Sequence, residues 1–201
     1  MNERDRSDSL TLEILEAIEE RSDVTQRGIA RRAGVALGLA NSYLKRCVRK
    51  GLVKMQQAPA NRYVYYLTPK GFAEKSRLTA EYLTYSFRFY RRAGESLGRL
   101  FASMKSDGVE RVGLYGISDL AEIAAIRALD QGVQVVAVCD PTIPRQTFLG
   151  VTVVVRLEEA ADVQAWVLTE LDDPGRAWRR LTADAGDKPV RAPDILGLEA
   201  Q

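Results

Sequence analysis

The chain has 201 residues, of which 46% are hydrophobic and 28% are charged, an ordinary composition for one large or two small globular domains. It has no histidine, and its two cysteines, Cys47 and Cys139, match no zinc or disulfide spacing. We therefore predict neither a metal site nor catalytic residues. No apolar run is long enough to span a bilayer, and the polar first residues contain no signal peptide, so we expect a cytoplasmic protein without a membrane segment.

The net charge of +2 conceals two halves of opposite sign. Residues 1–107 carry 20 Lys and Arg against 12 Asp and Glu, whereas residues 108–201 carry 9 against 15. No acidic residue occurs between Val24 and Ala73. This asymmetry favours two domains with different partners, the first of them a polyanion, over a chance fluctuation of charge on solvated surfaces.

Two helices are predicted at the start of the basic half. Residues 1–9 are polar and expected to fray, and residues 10–20 have apolar side chains at helical spacing. Thr25 is a suitable N-cap for a second helix over residues 26–33, and Gly34 is a suitable residue to end it.

A third helix is predicted over residues 37–50. Its core stripe consists of Ala40, Leu44 and Cys47. Its opposite face carries Gly38, Asn41, Ser42, Lys45 and Arg49. Short polar side chains followed by basic ones suit a helix in the major groove of DNA, where Asn pairs with adenine and Lys with guanine.

A β-hairpin is predicted directly after the third helix. Residues 53–55 form its first strand, residues 56–61 a loop, and residues 63–67 an aromatic second strand. Such a hairpin is a wing, and Arg62 near its tip is placed to reach a phosphate or the minor groove.

These patterns predict an interface with double-stranded DNA. Asn41, Ser42 and Lys45 are expected to contact bases, close to Gly38. The predicted phosphate contacts are Thr25, Gln26, Arg27, Arg31, Arg46, Arg49 and Arg62.

A longer motif extends through the same region: Thr25, Gln26, Arg27, Ile29, Ala30, Arg31, Gly34, Val35, Leu37, Gly38, Asn41, Leu44, Lys45, Lys50, Gly51, Leu52, Val53, then Tyr66, Leu67, Thr68, Pro69, Lys70 and Gly71. It resembles the winged helix-turn-helix regulators of the MarR-like type, particularly those of exopolysaccharide and lipopolysaccharide gene clusters. The resemblance covers about the first 90 residues and implies a transcriptional regulator. Ala36 departs from the pattern, because such proteins usually place there a Ser or Thr that caps the recognition helix and touches phosphate.

Residues 69–106 are predicted to form one long helix. Leu78, Tyr82, Tyr85 and Phe89 recur at intervals of four and three, the spacing of a seam between two helices. This seam either packs on its own domain or joins two chains. A two-fold DNA site favours a homodimer.

The acidic half alternates apolar strands with helices, which predicts a parallel, doubly wound sheet. The predicted strands are residues 109–115, 133–139, 151–155, 165–169 and 189–191, and the predicted helices are residues 120–131, 158–162 and 174–183.

The turn after the first of these strands is a candidate ligand site. A dinucleotide-binding fold has a glycine-rich turn here and an acid at the end of the second strand that bonds the ribose. The chain has a reduced version of this glycine-rich turn. Asp119 belongs to the turn as a candidate ligand residue; in the alternative reading it only interacts with the dipole at the start of the helix. The candidate ligand residues are Gly113, Gly116, Ile117, Ser118, Asp119 and Asp140.

The segment from Tyr115 to Val155 also resembles the Rossmann-like domain of sugar-nucleotide-related proteins. Gly116–Asp119, the strand end at Asp140, and the run Phe148-Leu149-Gly150 carry this resemblance. Relatives that acetylate amino-sugars have a histidine near the glycine turn, and this chain has none. The resemblance therefore implies a sensor whose effector is a nucleotide or a sugar nucleotide, with the cofactor otherwise unknown.

We predict an α+β winged helix-turn-helix domain (1–70), a linker and dimerisation helix (71–107), and an α/β Rossmann-like parallel-sheet domain (108–201). The favoured function is a homodimeric regulator that binds double-stranded DNA and a small-molecule effector. The alternatives are a nucleotide- or sugar-modifying enzyme with an accessory winged helix, and a scaffold whose winged helix binds protein.

Overall fold

The computed structural model describes residues 3–58, 62–142 and 146–198. The chain divides into two compact units, Met1–Phe87 and Arg88–Gln201, and the division falls inside one long helix. The three-part division into residues 1–70, 71–107 and 108–201 stays a prediction. In the described part of the chain, every helix is too short or too polar to cross a lipid bilayer.

The first unit begins with three helices, α1 (Glu3–Glu20), α2 (Gln26–Arg32) and α3 (Leu37–Arg49). The start of α1 corrects the expectation of a frayed segment before residue 10. The Thr11 hydroxyl donates to the Ser7 carbonyl oxygen at 2.7 Å, as in the interior of a helix. The first turns of α1 are polar and carry no apolar stripe, which is why periodicity missed them.

The hairpin consists of strands β1 (Val53–Ala58) and β2 (Arg62–Leu67), which pair antiparallel. β1 is longer than predicted, because Gln56 and Gln57 pair with β2 instead of belonging to the loop. The backbone N–H of Tyr65 also donates to the Ser22 carbonyl oxygen at 2.8 Å, which ties β2 to the segment between α1 and α2.

The helix α4 (Pro69–Ser106) follows the hairpin and continues into the second unit. Thr68 precedes its first residue, and the hydroxyl of Thr68 accepts from the N–H of Gly71 at 3.0 Å and donates to the carbonyl oxygen of Gly51 at 2.7 Å. A Cβ on Gly71 would lie 2.0 Å from the Leu52 carbonyl oxygen. The Thr-Pro-x-Gly motif therefore joins the start of α4 to the end of α3.

The core of the first unit is continuous from α1 to α4. It contains the α3 stripe predicted from sequence and is closed by Tyr65 and Leu78. The other buried members are Leu10, Leu12, Ile14, Leu15, Ala17, Ile18, Ile29, Ala30, Ala40, Leu44, Cys47, Leu52 and Val53.

The second unit is a mixed α/β sheet domain that α4 enters at Arg88. Its elements in chain order are β3 (Arg111–Tyr115), α5 (Asp119–Asp130), β4 (Gln134–Cys139), β5 (Thr147–Phe148), β6 (Val151–Val154), a 3-10 turn (Leu157–Glu159), β7 (Ala165–Leu168), α6 (Pro174–Asp184), β8 (Val190–Arg191) and a second 3-10 turn (Asp194–Leu196). The short strand β5 was not predicted, and a 3-10 turn at Leu157–Glu159 stands where a short helix was predicted over residues 158–162.

The strand order across the sheet is β5-β6-β4-β3-β7-β8. β6, β4, β3, β7 and β8 run parallel, and only β5 is antiparallel to its neighbour. The order reverses at β3, which has the next strand of the chain on one side and the later β7 on the other. The carboxyl ends of β3, β4 and β7 therefore meet at one edge.

The sheet is packed on both faces. One face lies against α4 and α5 through a cluster that includes Leu97, Phe101 and Leu120, and the other lies against α6 through Trp166 and Leu181. Gly113 is required in β3, because a Cβ there would lie 2.3 Å from Cζ3 of the buried Trp166 ring.

Candidate nucleic-acid interface

The outer face of α3 is an exposed polar and basic surface. Its buried stripe faces the core of the first unit, and the residues on the opposite side of the helix are exposed. We call this side the α3 ridge; it consists of Gly38, Ser42, Lys45 and Arg49. The structure thus brings together four of the residues predicted to contact DNA.

The helix α2 adds two further cations to this part of the molecule. Arg27 and Arg31 are exposed, and no salt bridge is found for either within the described residues. Thr25 is the N-cap predicted from sequence, because its hydroxyl oxygen accepts from the N–H of Gly28 at 3.0 Å. It fixes the start of α2 and hence the directions of Arg27 and Arg31.

Arg32, by contrast, is part of an ion-pair cluster with α1. Its guanidinium bonds the Glu20 carboxylate and lies 3.4 Å from Glu13 and 3.8 Å from Glu16. The Arg32 hydrogen bond lowers the pKa of the Glu20 carboxyl below its ordinary value. Lys75 of α4 pairs with Glu19 in the same way. Four acids in the second half of α1 are thus engaged by Arg32 and Lys75.

Three residues predicted to contact DNA have other surroundings. The Gln26 amide nitrogen donates to the Tyr65 hydroxyl at 3.2 Å, so Gln26 joins α2 to the hairpin. The Asn41 side chain is half-buried, and its amide oxygen is buried without a hydrogen bond to any described residue. The Arg46 guanidinium lies over the Tyr43 ring at 5.9 Å and 3.4 Å from the Ser7 hydroxyl.

The placements of Asn41 and Arg46 follow from the register of α3. These two residues lie on the flanks of the helix, Arg46 beside Ser7 of α1, and the charge pattern alone does not separate flank from ridge. Arg46 lines a polar cavity of about 490 Å³ together with Lys50, Glu74 and Arg77. Arg62 begins β2, but its side chain lies outside the described residues.

The first turn of α3 was missed as a candidate contact surface. Ala36 is the N-cap and makes no side-chain cap hydrogen bond, as expected from sequence. Leu37 and Leu39 are both exposed. A signal was present for Leu39, which lies outside the stripe with a period of 3.6 residues, but not for Leu37, which precedes Ala40 and Leu44 at the spacing of that stripe.

The candidate ligand residues of the glycine turn lie close together in the second unit, and two of them, Ile117 and Asp140, hydrogen-bond to each other. The Asp140 carboxylate, only 2% exposed, accepts from the N–H of Ile117 at 2.9 Å and from the N–H of Thr142 at 2.8 Å. The N–H of Gly116 donates to the Cys139 carbonyl oxygen at 2.9 Å. The N–H of Ile117, in the turn predicted to hold a ligand, is therefore engaged by a carboxylate of the protein.

The remaining residues of this turn hold the backbone. Ser118 is the N-cap of α5, and its hydroxyl also donates to the Thr169 carbonyl oxygen. Gly116 has φ +98°, and a Cβ there would lie 2.8 Å from the backbone of Glu170. Asp119 is exposed in the first turn of α5, where a carboxylate is favoured by the helix dipole.

A separate cavity of about 260 Å³ lies on the α6 side of the sheet, at the carboxyl ends of β3, β4 and β6. Tyr115 borders it and is 6% exposed, and no hydrogen bond of its hydroxyl is found among the described residues. Arg180 and Cys139 also line it. Burial raises the pKa of the Cys139 thiol to about 12.

The four residues of the predicted dimer seam have different positions. Leu78 is buried in the core of the first unit, and Phe89 packs against the core of the second, so neither is available to another chain. Tyr82 and Tyr85 are 58% and 60% exposed. Leu83, Phe87 and Tyr90 are exposed on the same stretch of α4.

Residues 7–54 match the family described as winged helix-turn-helix DNA-binding. The match extends from α1 to the start of the hairpin, and the first unit is a winged helix-turn-helix domain. No protein with a curated description matches the chain.

Three solved structures are distantly similar to the chain. MepR, a transcription regulator of the Staphylococcus aureus multidrug efflux pump MepA, is 20% identical over 41% of this chain and 61% of MepR, with a TM-score of 0.36. The PcaV regulator of Streptomyces coelicolor is 20% identical over 43% of this chain and 76% of PcaV, with a TM-score of 0.32. The O-methyltransferase NcsB1 from neocarzinostatin biosynthesis is 17% identical over 95% of this chain and 82% of NcsB1, with a TM-score of 0.29. The chain thus spans about three-fifths of MepR, and similarities this distant assign no function.

Proposed function

We propose that the protein is a MarR-like transcriptional regulator that binds double-stranded DNA as a homodimer. The observation that carries the proposal is the exposed α3 ridge, which lies in a winged helix-turn-helix domain and in a stretch of 50 residues, 24–73, without an acid. A polycationic helix face with a wing beside it suits the major groove and its phosphates.

In this proposal the contacts divide by position. Arg27, Arg31 and Arg49 neutralise phosphates, and Ser42 and Lys45 reach base edges. Gln26 supports the position of α2 through its hydrogen bond to Tyr65, and Asn41 and Arg46 lie at the edges of the contact surface. Arg62 in the wing completes the phosphate contacts.

The test is the salt dependence of DNA binding. Each phosphate contact contributes about 0.9 to the slope of log K against log salt concentration. The double variant Lys45→Ala/Arg49→Ala should therefore lower the slope by about 1, the share of the Arg49 phosphate contact, and weaken binding at every salt concentration. Arg176→Ala/Arg179→Ala in the second unit removes the same charge from exposed residues of α6 and is the matched control. An unchanged slope in the α3 variant would contradict the proposal.

Homodimerisation is proposed through the middle of α4. Tyr82 and Tyr85 lie on one side of this stretch, and Leu83, Phe87 and Tyr90 recur at intervals of four and three on another. A helix that is apolar on most of its circumference is normally covered. A second copy is the natural cover, because two copies of α3 would then face a two-fold DNA site.

Sedimentation velocity tests this surface. Phe87→Asp should convert a dimer to a monomer, whereas Leu129→Asp adds the same charge at an exposed apolar residue of α5 and should leave the dimer intact. A wild-type protein that sediments as a monomer at micromolar concentration would contradict the dimer.

For the second unit we propose a Rossmann-like, effector-sensing or oligomerisation domain. Its five parallel strands follow the order third, second, first, fourth, fifth, which supports this classification. We place the effector, a nucleotide or sugar nucleotide, at the cavity beside Tyr115 and Arg180, because the glycine turn already binds Asp140.

Thermal shift with NAD(H), nucleotides and sugar nucleotides tests the effector site. A ligand that stabilises the wild type should lose its effect in Arg180→Ala and keep it in Arg179→Ala, since Arg179 does not line the cavity. A shift that survives Arg180→Ala would move the site elsewhere.

A further inference from the structure

The start of the recognition helix is apolar and exposed, although it lies in the most basic part of the chain. Leu37 is 42% exposed and Leu39 is 47% exposed, whereas the buried residues of α3 are Ala40, Leu44 and Cys47. We call residues 36–39 the apolar turn. It carries no polar side chain, so it offers no side-chain hydrogen bond to a base edge or a phosphate.

Gly38 between the two leucines is not required by the fold. A Cβ at this position would meet nothing within 4 Å, and the residue is helical with no positive φ. A helix is less stable with glycine in its interior than with alanine at the same position. An open glycine on the exposed side of a helix is best explained by something outside the chain that approaches the backbone closely.

The surroundings decide what this partner is. Lys45 and Arg49 are exposed on the same helix, and no acid occurs within residues 24–73. The partner must therefore combine negative charge with small apolar groups at its surface. In duplex DNA the major groove offers one such group, the C5 methyl of thymine.

We infer that Leu37 and Leu39 recognise thymines through contact with their methyl groups, and that Gly38 allows the helix to approach the bases closely. The inference rests on the proposed function and adds the base that the apolar turn selects. Lys45 and Ser42, one to two turns later, then contact base edges by hydrogen bonds. The protein discriminates against uracil, which differs from thymine only in lacking that methyl.

The experiment uses a duplex that the full-length protein enriches from a random-sequence pool. The same duplex is synthesised with thymine or with deoxyuridine in its place, and both affinities are measured by fluorescence anisotropy. The wild type should bind the deoxyuridine duplex more weakly, by roughly fourfold for each contacted methyl, from the transfer free energy of a group of that size. Equal affinities would overturn the inference and leave the proposed function standing.

Two variants assign the effect to the apolar turn. Leu37→Ala/Leu39→Ala should bind the thymine duplex more weakly and lose the discrimination, with only a small fall in melting temperature because neither side chain belongs to the buried core. Leu129→Ala, at an exposed leucine of α5, is the matched control and should keep the discrimination. Discrimination that persists in the double variant would overturn the role of these leucines.

Gly38→Ala separates a functional glycine from a structural one. The added methyl has open space and improves helix propensity, so the melting temperature should rise while DNA affinity falls. Unchanged affinity would refute close approach at Gly38. If the protein enriches no duplex at all, the proposed function fails, and the inference fails with it.

Discussion

Replacing Thr68 by valine tests the connection between the hairpin and the recognition helix. Valine keeps the shape of threonine and removes the hydroxyl, which accepts from the N–H of Gly71 and donates to the carbonyl oxygen of Gly51. Loss of an N-cap costs about 1 kcal/mol. Loss of the second hydrogen bond, at a partly buried residue, costs about 1 kcal/mol more. We therefore expect Thr68→Val to lower the free energy of unfolding by about 2 kcal/mol.

Urea unfolding followed by far-UV circular dichroism measures this change. Both tryptophans, Trp166 and Trp178, are in the second unit, so their fluorescence reports that unit separately. For a unit of this size we expect a melting temperature lower by about 10 °C. Thr68→Ser keeps the hydroxyl and should remain within about 0.5 kcal/mol of the wild type. The reasoning is refuted if Thr68→Val is as stable as Thr68→Ser.

Three further predictions concern the second unit and the thiols. Gly113→Ala should lower the free energy of unfolding by about 3 kcal/mol in chemical denaturation, because its Cβ would lie 2.3 Å from the buried Trp166 ring. A decrease of less than about 1 kcal/mol would show that the ring can move. Burial raises the pKa of the Cys47 thiol to about 11 and that of Cys139 to about 12, so Ellman's reagent at pH 8 should react with neither until denaturant is added, and a fast-reacting thiol in the folded protein would contradict this. Hydrogen bonds from Ser96 and Arg99 hold the pKa of the Asp194 carboxyl below its ordinary 3.8, so its stabilisation is present above that pH and is lost as pH falls through the folded value. Asp194→Asn should therefore lower the melting temperature at pH 7, and this deficit should shrink as the pH falls below 3.8. An equal deficit across that range would count against the ionised carboxylate.

In the first unit, hydrophobic periodicity was sufficient to predict the buried residues of a helix that has one buried face. The stripe of Ala40, Leu44 and Cys47 is buried as predicted, and Thr25 and Ala36 occupy the expected cap positions. The same rule could not place the flanks of α3. Asn41 and Arg46 are polar like the ridge, and only the fold shows that the Asn41 amide oxygen is buried and that Arg46 lies beside Ser7 of α1.

The second unit shows a different limit. The sequence correctly predicted strands ending at Tyr115 and Cys139, with Gly116 and Asp140 beside them. It did not predict that Asp140 accepts from the N–H of Ile117, because a partner 23 residues away is set by the sheet order. The two-residue strand β5 is too short for any alternation to be visible.

The predicted seam on α4 depends both on local periodicity and on contacts that only the fold determines. Leu78, Tyr82, Tyr85 and Phe89 share one helical spacing, but the two ends of that series pack in different cores while the middle stays exposed. A spacing of four and three indicates a helix face suited to packing, and it does not indicate which element or chain packs there.

Selection of duplexes from a random-sequence pool tests the central claim most directly. A homodimer that reads DNA with two copies of the α3 ridge should enrich an inverted repeat whose half-sites are about one helical turn, or a multiple of it, apart. Lys45→Ala/Arg49→Ala should enrich no sequence. Enrichment of the same repeat by this variant, or no enrichment by the wild type, would contradict the assignment of the α3 ridge as a DNA-reading surface.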